Sequence, residues 1–180
     1  GSEWVGVKHF ARFFRSFYFW RLMRNTFGIA LYALVVGFPA PIILALMMNE
    51  LRNLTFKRIV QNVTYIPHFL SLVVVVGMIV TFTNPNYGII NQMIQAFGGE
   101  PINFMIKKEW FKTLFVLSNV WQNAGWGAII YMASLASIDP SLYEAATVDG
   151  ATRFQKIKHI SIPSILPTIV ILLILRIGQL

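Results

Sequence analysis

The chain has 180 residues, of which 56% are hydrophobic and only 12% are charged, although its net charge is +8. A soluble domain usually carries about a quarter charged residues, so this composition disfavours an ordinary soluble enzyme and a disordered chain. The absence of cysteine excludes a disulfide scaffold, a thiol nucleophile and a metal site with cysteine ligands.

Residues 8–24 have the pattern of an amphipathic helix. Arginines alternate there with aromatic residues at steps of three and four, namely Phe10, Phe13, Phe14, Phe17 and Trp20. Such a helix can lie at the level of the lipid headgroups, with its rings toward the acyl chains and its guanidinium groups toward phosphate. An ordinary basic loop helix explains the same pattern equally well.

Four stretches without Asp, Glu, Lys or Arg separate the charged clusters. A helix needs about 20 mostly apolar residues to cross the hydrocarbon core of a bilayer. We therefore predict an all-α, polytopic membrane helical bundle with spans at 27–48, 66–83, 114–136 and 164–180. The last span reaches the end of the chain with its final turn apparently missing, so a truncated fragment is expected. A soluble bundle of very apolar helices is the alternative.

A polar loop at 138–162 separates the last two spans. Asp139 followed by Pro140 predicts a helix start, because Asp is a good cap and Pro suits the first helical position. That helix stops at Gly150, and a second short helix is expected from Thr152 to about Ile160, before Pro163.

From Glu144 the loop reads Glu-Ala-Ala-Thr-Val-Asp-Gly, and after nine residues comes Ile160-Ser161-Ile162-Pro163. This resembles the EAA loop of the inner-membrane permease subunits of type I, binding-protein-dependent ABC importers, with Ile162 in place of the family's Leu. We call residues 138–162 the EAA loop. Weaker matches, such as Tyr65-Ile66-Pro67, resemble the carbohydrate-uptake branch of that family.

The resemblance implies a partial permease domain over residues 1–180 in the bacterial cytoplasmic membrane, with the EAA loop in the cytoplasm. It implies separate ABC ATPase subunits that bind ATP and Mg²⁺, a second permease subunit that is a copy or a relative, and an extracytoplasmic solute-binding protein. This chain itself would hold no cofactor, no metal and no catalytic residue. The residues that the resemblance assigns to ATPase coupling are Glu144, Ala145, Ala146, Asp149, Gly150, Ile160 and Pro163.

The third predicted span contains amide side chains, which are costly in hydrocarbon unless they face other helices or water. A sugar presents hydroxyl groups and apolar ring faces, so its path would combine aromatic and amide side chains. The candidate pathway residues are Trp121, Gln122, Asn123, Trp126 and Tyr131. Contact between helices is the alternative role for the two amides.

Other functions remain open. A permease of the same family could carry an amino acid or a peptide, and a channel or secondary transporter would work without ATP, more often with ionisable residues in its spans. His9, His68 and His159 are scattered, so a metal centre or an enzyme is not expected. The basic clusters build no long stripe, which argues against a nucleic-acid partner.

Overall fold

The computed structural model of the protein describes residues 6–179, and the elements it defines there are helical. Leu180, the end of the predicted fourth span, lies outside the described residues. In chain order the helices are α1 (Lys8–Phe14), α2 (Phe19–Gly37), α3 (Pro39–Asn49), α4 (Leu54–Tyr65), α5 (Leu72–Phe82), α6 (Ile89–Ala96), α7 (Lys108–Ala136), α8 (Pro140–Val148), α9 (Arg153–Lys156) and α10 (Ile162–Ile177).

The first predicted span is longer than expected. Helices α2 and α3 form one continuous stretch of 31 residues, Phe19–Asn49. The Phe38 amide donates to the Leu34 carbonyl oxygen at 3.1 Å, so the helix continues up to Pro39, which takes a first-turn position where no amide hydrogen is needed.

The predicted amphipathic helix 8–24 is not one helix. It ends as α1 at Phe14, and its last residues, from Phe19 onward, belong to α2. Ser16 explains the break, because its hydroxyl oxygen accepts from the Tyr18 amide at 3.3 Å and competes with the helical hydrogen-bond pattern. Phe10 and Phe14 of α1 are exposed, and the position of α1 at a membrane surface stays a prediction.

The second predicted span, 66–83, is wrong as a straight helix. Helix α4 precedes this predicted span and begins at Leu54, where the Asn53 side chain accepts from the Phe56 amide at 3.0 Å. After α4 a short 3₁₀ turn, Ile66–Phe69, leads into a bend of 106° before α5. Pro67 in that turn lacks an amide hydrogen, and Leu70 is extended, so the helix cannot continue.

By length and composition, two helices in the described part of the chain could cross a membrane, Phe19–Asn49 and Arg153–Ile177. A third is added if the bent pair of α4 and α5 counts as one span. Helix α7 is about 43 Å long but is not among them; it begins with Lys108 and Glu109 and carries amides at its centre. The prediction of four spans is therefore not confirmed for α7.

The core lies where α3, α7 and α10 pack together. Its buried residues are Ala45, Met48, Ala128, Tyr131, Leu135 and Ile165. Helices α4 and α7 approach closely at Gly125, where a Cβ atom would overlap the Thr64 carbonyl oxygen. Glycine at this position therefore sets the distance between the two helices.

Candidate functional site

The EAA loop begins with a capped helix, as predicted. The Asp139 carboxylate accepts a hydrogen bond from the Ser141 backbone amide at 2.9 Å, and Pro140 occupies the first turn of α8. This hydrogen bond holds the pKa of Asp139 below its ordinary value because it stabilises the charged form. The direction of α8 at the end of α7 is therefore fixed locally.

The turn at Gly150 reverses the chain after α8. Gly150 has φ +77°, and the Ala151 amide donates to the Ala146 carbonyl oxygen at 2.8 Å while the Gly150 amide donates to Thr147 at 3.1 Å. This pair of bonds is the Schellman arrangement, which favours glycine because L side chains are strained at such a φ. A Cβ at Gly150 would meet no atom within 4 Å, so the restriction is conformational and not steric.

The second half of the EAA loop differs from the prediction of a separate short helix. Thr152 and Gln155 form a reciprocal capping box, and the helix then runs without interruption over Arg153–Ile177. A π-helical turn, Ile157–Ser161, precedes Pro163. We attribute the continuity of the helix to this π-helical turn. In a regular α-helix the ring of Pro163 would clash with the carbonyl group four residues earlier, and the wider backbone of the π-helical turn makes room for it.

Two side-chain contacts brace α8 against this continuous helix. The Tyr143 hydroxyl lies 2.9 Å from the hydroxyl of Ser161, which is completely buried in the π-helical turn. The Lys156 ammonium donates to the Thr147 hydroxyl at 3.1 Å. The EAA loop is therefore a compact pair of helices joined covalently and by hydrogen bonds to α10.

The outer surface of the EAA loop offers small and apolar groups. A cleft of about 320 Å³ is lined by four of the predicted coupling residues, Ala146, Asp149, Gly150 and Ile160. The other three, Glu144, Ala145 and Pro163, are exposed and do not line the cleft. Sequence reasoning missed Val148 and Phe154, which are 88% and 74% exposed. Both are large apolar residues in a polar loop, and that contrast was the signal by which the sequence could have indicated them as contact residues.

A second site is a cavity of about 490 Å³ between the α2–α3 helix, α7 and α10. Of the predicted pathway residues, the structure brings Asn123, Trp126 and Tyr131 to this cavity, although Tyr131 is only 3% exposed and belongs to the core. Asn119 and Arg176 also line it.

The 3₁₀ turn before α5 holds two of these side chains in place. The His68 Nδ1 atom lies 3.0 Å from the Asn123 side-chain oxygen, and the His68 ring stacks on Trp126 with a centroid distance of 4.7 Å and nearly parallel planes. Phe69 contacts the same indole edge-on. Sequence analysis treated His68 as one of three scattered histidines and missed this contact with α7.

Trp121 and Gln122 lie elsewhere. Gln122 donates to the Leu70 carbonyl oxygen at 3.1 Å, which joins α7 to the extended residue before α5, and it also lines a cavity of about 570 Å³. Trp121 lines a separate apolar cavity with residues of α5. Within residues 6–179 no group of three or more His, Asp or Glu side chains is placed to hold a metal ion.

Comparisons with known proteins agree with the predicted fold and family. The chain is 48% identical over 179 residues to the polygalacturonan/rhamnogalacturonan transport system permease protein YteP of Bacillus subtilis (strain 168), covering 99% of this chain and 56% of that protein. It is 45% identical to LplB of the same organism, over 99% of this chain and 56% of that protein. The chain thus spans little more than half the length of these curated relatives.

Solved structures are similarly close. A crystal structure of a bacterial ABC transporter involved in the import of the acidic polysaccharide alginate matches with a TM-score of 0.93 and 43% identity, over 99% of this chain and 62% of that one. The model of the binding-protein-dependent transport system inner membrane component matches residues 37–180. The chain therefore belongs to the family of inner membrane components of binding-protein-dependent transport systems.

Proposed function

We propose that this chain is the main part of a permease subunit of an ATP-driven importer, and that it forms part of the path for a sugar or an oligo- or polysaccharide. The permease is a transport subunit and not an enzyme. A separate ABC ATPase binds ATP and Mg²⁺, and it also binds the EAA loop on the cytoplasmic side of the bacterial inner membrane. A second permease subunit and a solute-binding protein outside the membrane complete the importer.

One observation carries the coupling role: the EAA loop is continuous with a membrane helix. Because Arg153–Ile177 is one continuous helix, a displacement of α9 reaches α10 without crossing a loop, although it passes the π-helical turn and Pro167, where helices bend most easily. The contact between Tyr143 and Ser161 makes α8 move with the same body. Val148 and Phe154 are exposed apolar side chains that a partner protein can bury on binding.

The solute is proposed from the relatives and from the cavity. YteP and the alginate importer are named for transport of carbohydrate polymers. In this chain Trp126 supplies an aromatic face, and Asn119 and Asn123 supply amide groups, which together suit sugar rings and their hydroxyls. The assignment of Glu144, Ala145, Ala146, Asp149, Gly150, Ile160 and Pro163 to ATPase contact is part of the same proposal.

The coupling proposal is tested by purifying the full-length permease with its partner ATPase. We expect Gly150→Arg to lose the ATPase during purification and to abolish ATP-dependent uptake in proteoliposomes, because a long side chain would project from the turn beside the cleft. Glu144→Lys, which reverses a charge on exposed α8, should weaken the association as well.

A matched control exists at Gly98, in the segment that leads into α7. Gly98 has φ +81° and open space around its Cα, so Gly98→Arg introduces the same residue under the same backbone strain. This variant should retain the ATPase. Equal loss of the ATPase in both variants would contradict the proposal, and uptake that continues in vesicles without ATP would favour a channel or secondary transporter.

A further inference from the structure

A long groove runs between α5 and α7, and we call it the α5–α7 groove. It encloses about 570 Å³, and α7 contributes a stripe of residues to its lining, from Lys107 and Lys108 to Gln122. Gln122 donates to the Leu70 carbonyl oxygen, so the start of α5 lies at the end of the groove far from the two lysines. Among the described residues that line the groove there is no Asp or Glu.

The groove is charged at its mouth and apolar behind it. Lys107 and Lys108 are exposed at the start of α7. The α7 residues that follow them in the lining are apolar up to Ser118. The helical rise from Lys108 to Ser118 is about 15 Å, which is half of the hydrocarbon thickness of a bilayer. The apolar part of the groove therefore has the depth of one leaflet. Its apolar lining residues include Val75, Val76, Ile79, Phe111, Leu114 and Phe115.

The direction of α7 shows on which side of the membrane the mouth of the groove lies. A Cβ atom at Gly28 would be 2.7 Å from the Lys112 ammonium, and one at Gly37 would be 3.7 Å from a methyl group of Val120. Helix α7 thus runs parallel to the membrane helix formed by α2 and α3. Because α7 ends where the EAA loop begins, its first turn lies on the opposite side of the membrane.

The two lysines at the mouth lie at the level of the lipid headgroups. Lys108 is one turn before Lys112, which makes it level with Arg24 on the neighbouring helix. Arg24 is the last charged residue before the uncharged stretch 25–49. Membrane proteins usually carry their excess of Lys and Arg on the cytoplasmic side. Lysines at the outer headgroup level therefore call for a separate explanation.

We propose that the α5–α7 groove binds an anionic phospholipid of the outer leaflet. The phosphate binds to Lys107 and Lys108, and one acyl chain lies along the apolar residues of α5 and α7. Ammonium groups form charge-assisted hydrogen bonds with phosphate, and basic pockets between membrane helices are a recognised kind of site for acidic headgroups. The order of cations followed by one leaflet of apolar lining matches the order of groups in a lipid. The inference goes beyond the proposed function and rests on it only for the orientation that places the lysines outside.

The test is lipid binding to the purified full-length importer in detergent, measured by native mass spectrometry without ATP or solute. The probes are dioleoylphosphatidylglycerol and dioleoylphosphatidylcholine, which have the same acyl chains and differ in headgroup charge. The wild-type importer should bind the anionic lipid at least about tenfold more tightly, because each lysine at a membrane surface contributes about fivefold. Lys108→Gln should lower the affinity for the anionic lipid about fivefold and leave that for phosphatidylcholine unchanged.

Lys112→Gln is the matched control for charge. It removes the same charge one turn further along α7, but the Lys112 ammonium lies against α2 and not in the groove. It should leave both affinities within about twofold of the wild-type values, as expected for a cation that does not contact the lipid.

The apolar half of the site is tested on α5. Val76 lines the groove and is 45% exposed, so Val76→Trp should fill the space for the acyl chain and weaken both lipids alike. Val73→Trp is its control, because Val73 is exposed on the same helix and does not line the groove. It should bind both lipids as the wild-type importer does. The melting temperature of each variant checks that it is folded.

Four results would overturn the inference. The first is equal affinity of the wild-type importer for the two lipids. The second is an equal effect of Lys108→Gln and Lys112→Gln, which would indicate diffuse attraction. The third is displacement of the lipid by glycerophosphoglycerol, the headgroup without acyl chains, which would indicate a site for soluble phosphates. The fourth is binding to the separate permease but not to the assembled importer, which would show that another subunit covers the groove.

Failure of the proposed function would look different. Proteoliposomes with all partners would then show no ATP-dependent uptake of any oligosaccharide, whatever the result of the lipid measurement. Lipid binding is measured without ATP and without solute, so each failure can be assigned.

Discussion

The hydrogen bond between Tyr143 and Ser161 is the sharpest place to test how the EAA loop is braced. Tyr143→Phe removes one oxygen atom and leaves the ring in place. The Ser161 hydroxyl is completely buried and would lose the partner that the structure gives it at 2.9 Å. A lost hydrogen bond that leaves a buried polar group unpaired costs about 1–3 kcal/mol, so we expect a fall of about 1–2 kcal/mol in the free energy of unfolding.

Ser161→Ala should cost less, because the Tyr143 hydroxyl is only half-buried and can bond to water instead. The double variant then isolates the interaction. If the two hydroxyls bond to each other, the double variant should resemble Ser161→Ala alone, and the coupling energy then equals the cost of Tyr143→Phe, about 1–2 kcal/mol. Denaturant titration of the full-length permease in detergent measures all four free energies.

Tyr87→Phe serves as the control, since Tyr87 is exposed in the segment between α5 and α6. It should change stability by less than about 0.5 kcal/mol. Additive effects of Tyr143→Phe and Ser161→Ala, within error, would refute the idea that this contact joins α8 to the continuous helix. Uptake per ATP hydrolysed should fall in the Tyr143→Phe variant if the brace also transmits force.

Three further outcomes are expected. Gly125→Ala should lower the melting temperature strongly because its Cβ would meet the backbone of α4, whereas Gly77→Ala, in open space on α5, should be neutral or stabilising by up to about 1 kcal/mol. Asn91→Ala should cost about 3 kcal/mol or more in unfolding free energy, because the buried amide bonds to three carbonyl oxygens and accepts one backbone amide. Folding lowers the pKa of Asp139, so the stability that this carboxylate contributes is present above its unfolded pKa and is lost as the pH falls through its folded pKa. An NMR titration of Asp139 should therefore give a midpoint below that of an unfolded peptide. An equal or higher midpoint would contradict the capping role.

Local chemistry made the EAA loop predictable. Asp139 and Pro140 specify a helix start and Gly150 specifies a turn through φ, and each depends only on neighbouring residues. The continuity past Pro163 was not predictable, because proline usually ends or kinks a helix. Here a π-helical turn accommodates Pro163, and no residue pattern in the sequence predicted that turn.

The bend before α5 is the main feature that could not be predicted from the sequence. An apolar run following Pro67 suits a straight span, yet the structure turns by 106° at that point. The bend depends on tertiary contacts from α7, in particular Gln122 on the Leu70 carbonyl oxygen and Trp126 against His68. Residues so distant in the chain could not be paired from composition and spacing alone.

The same limit applies to the cavity. The amides of α7 indicated a polar site, but helical faces decide which of them share it. Asn123 and Trp126 point to one cavity, while Trp121 lines another. Arg176 is the single charged residue between His159 and Gln179, but its place in the lining of this cavity depends on the packing of α10 on α7.

The most direct test of the account is a distance measurement along the helix that joins the EAA loop to the membrane. Spin labels are attached to cysteines placed at Lys158 and Ile174, which are both exposed and are not among the residues proposed to contact the ATPase, in the full-length importer. Sixteen residues of helix separate them by about 24 Å. We predict that pulsed electron resonance gives the same distance in the nucleotide-free and ATP-trapped states, and a change of more than about 5 Å, roughly one helical turn, would contradict transmission through a rigid helix.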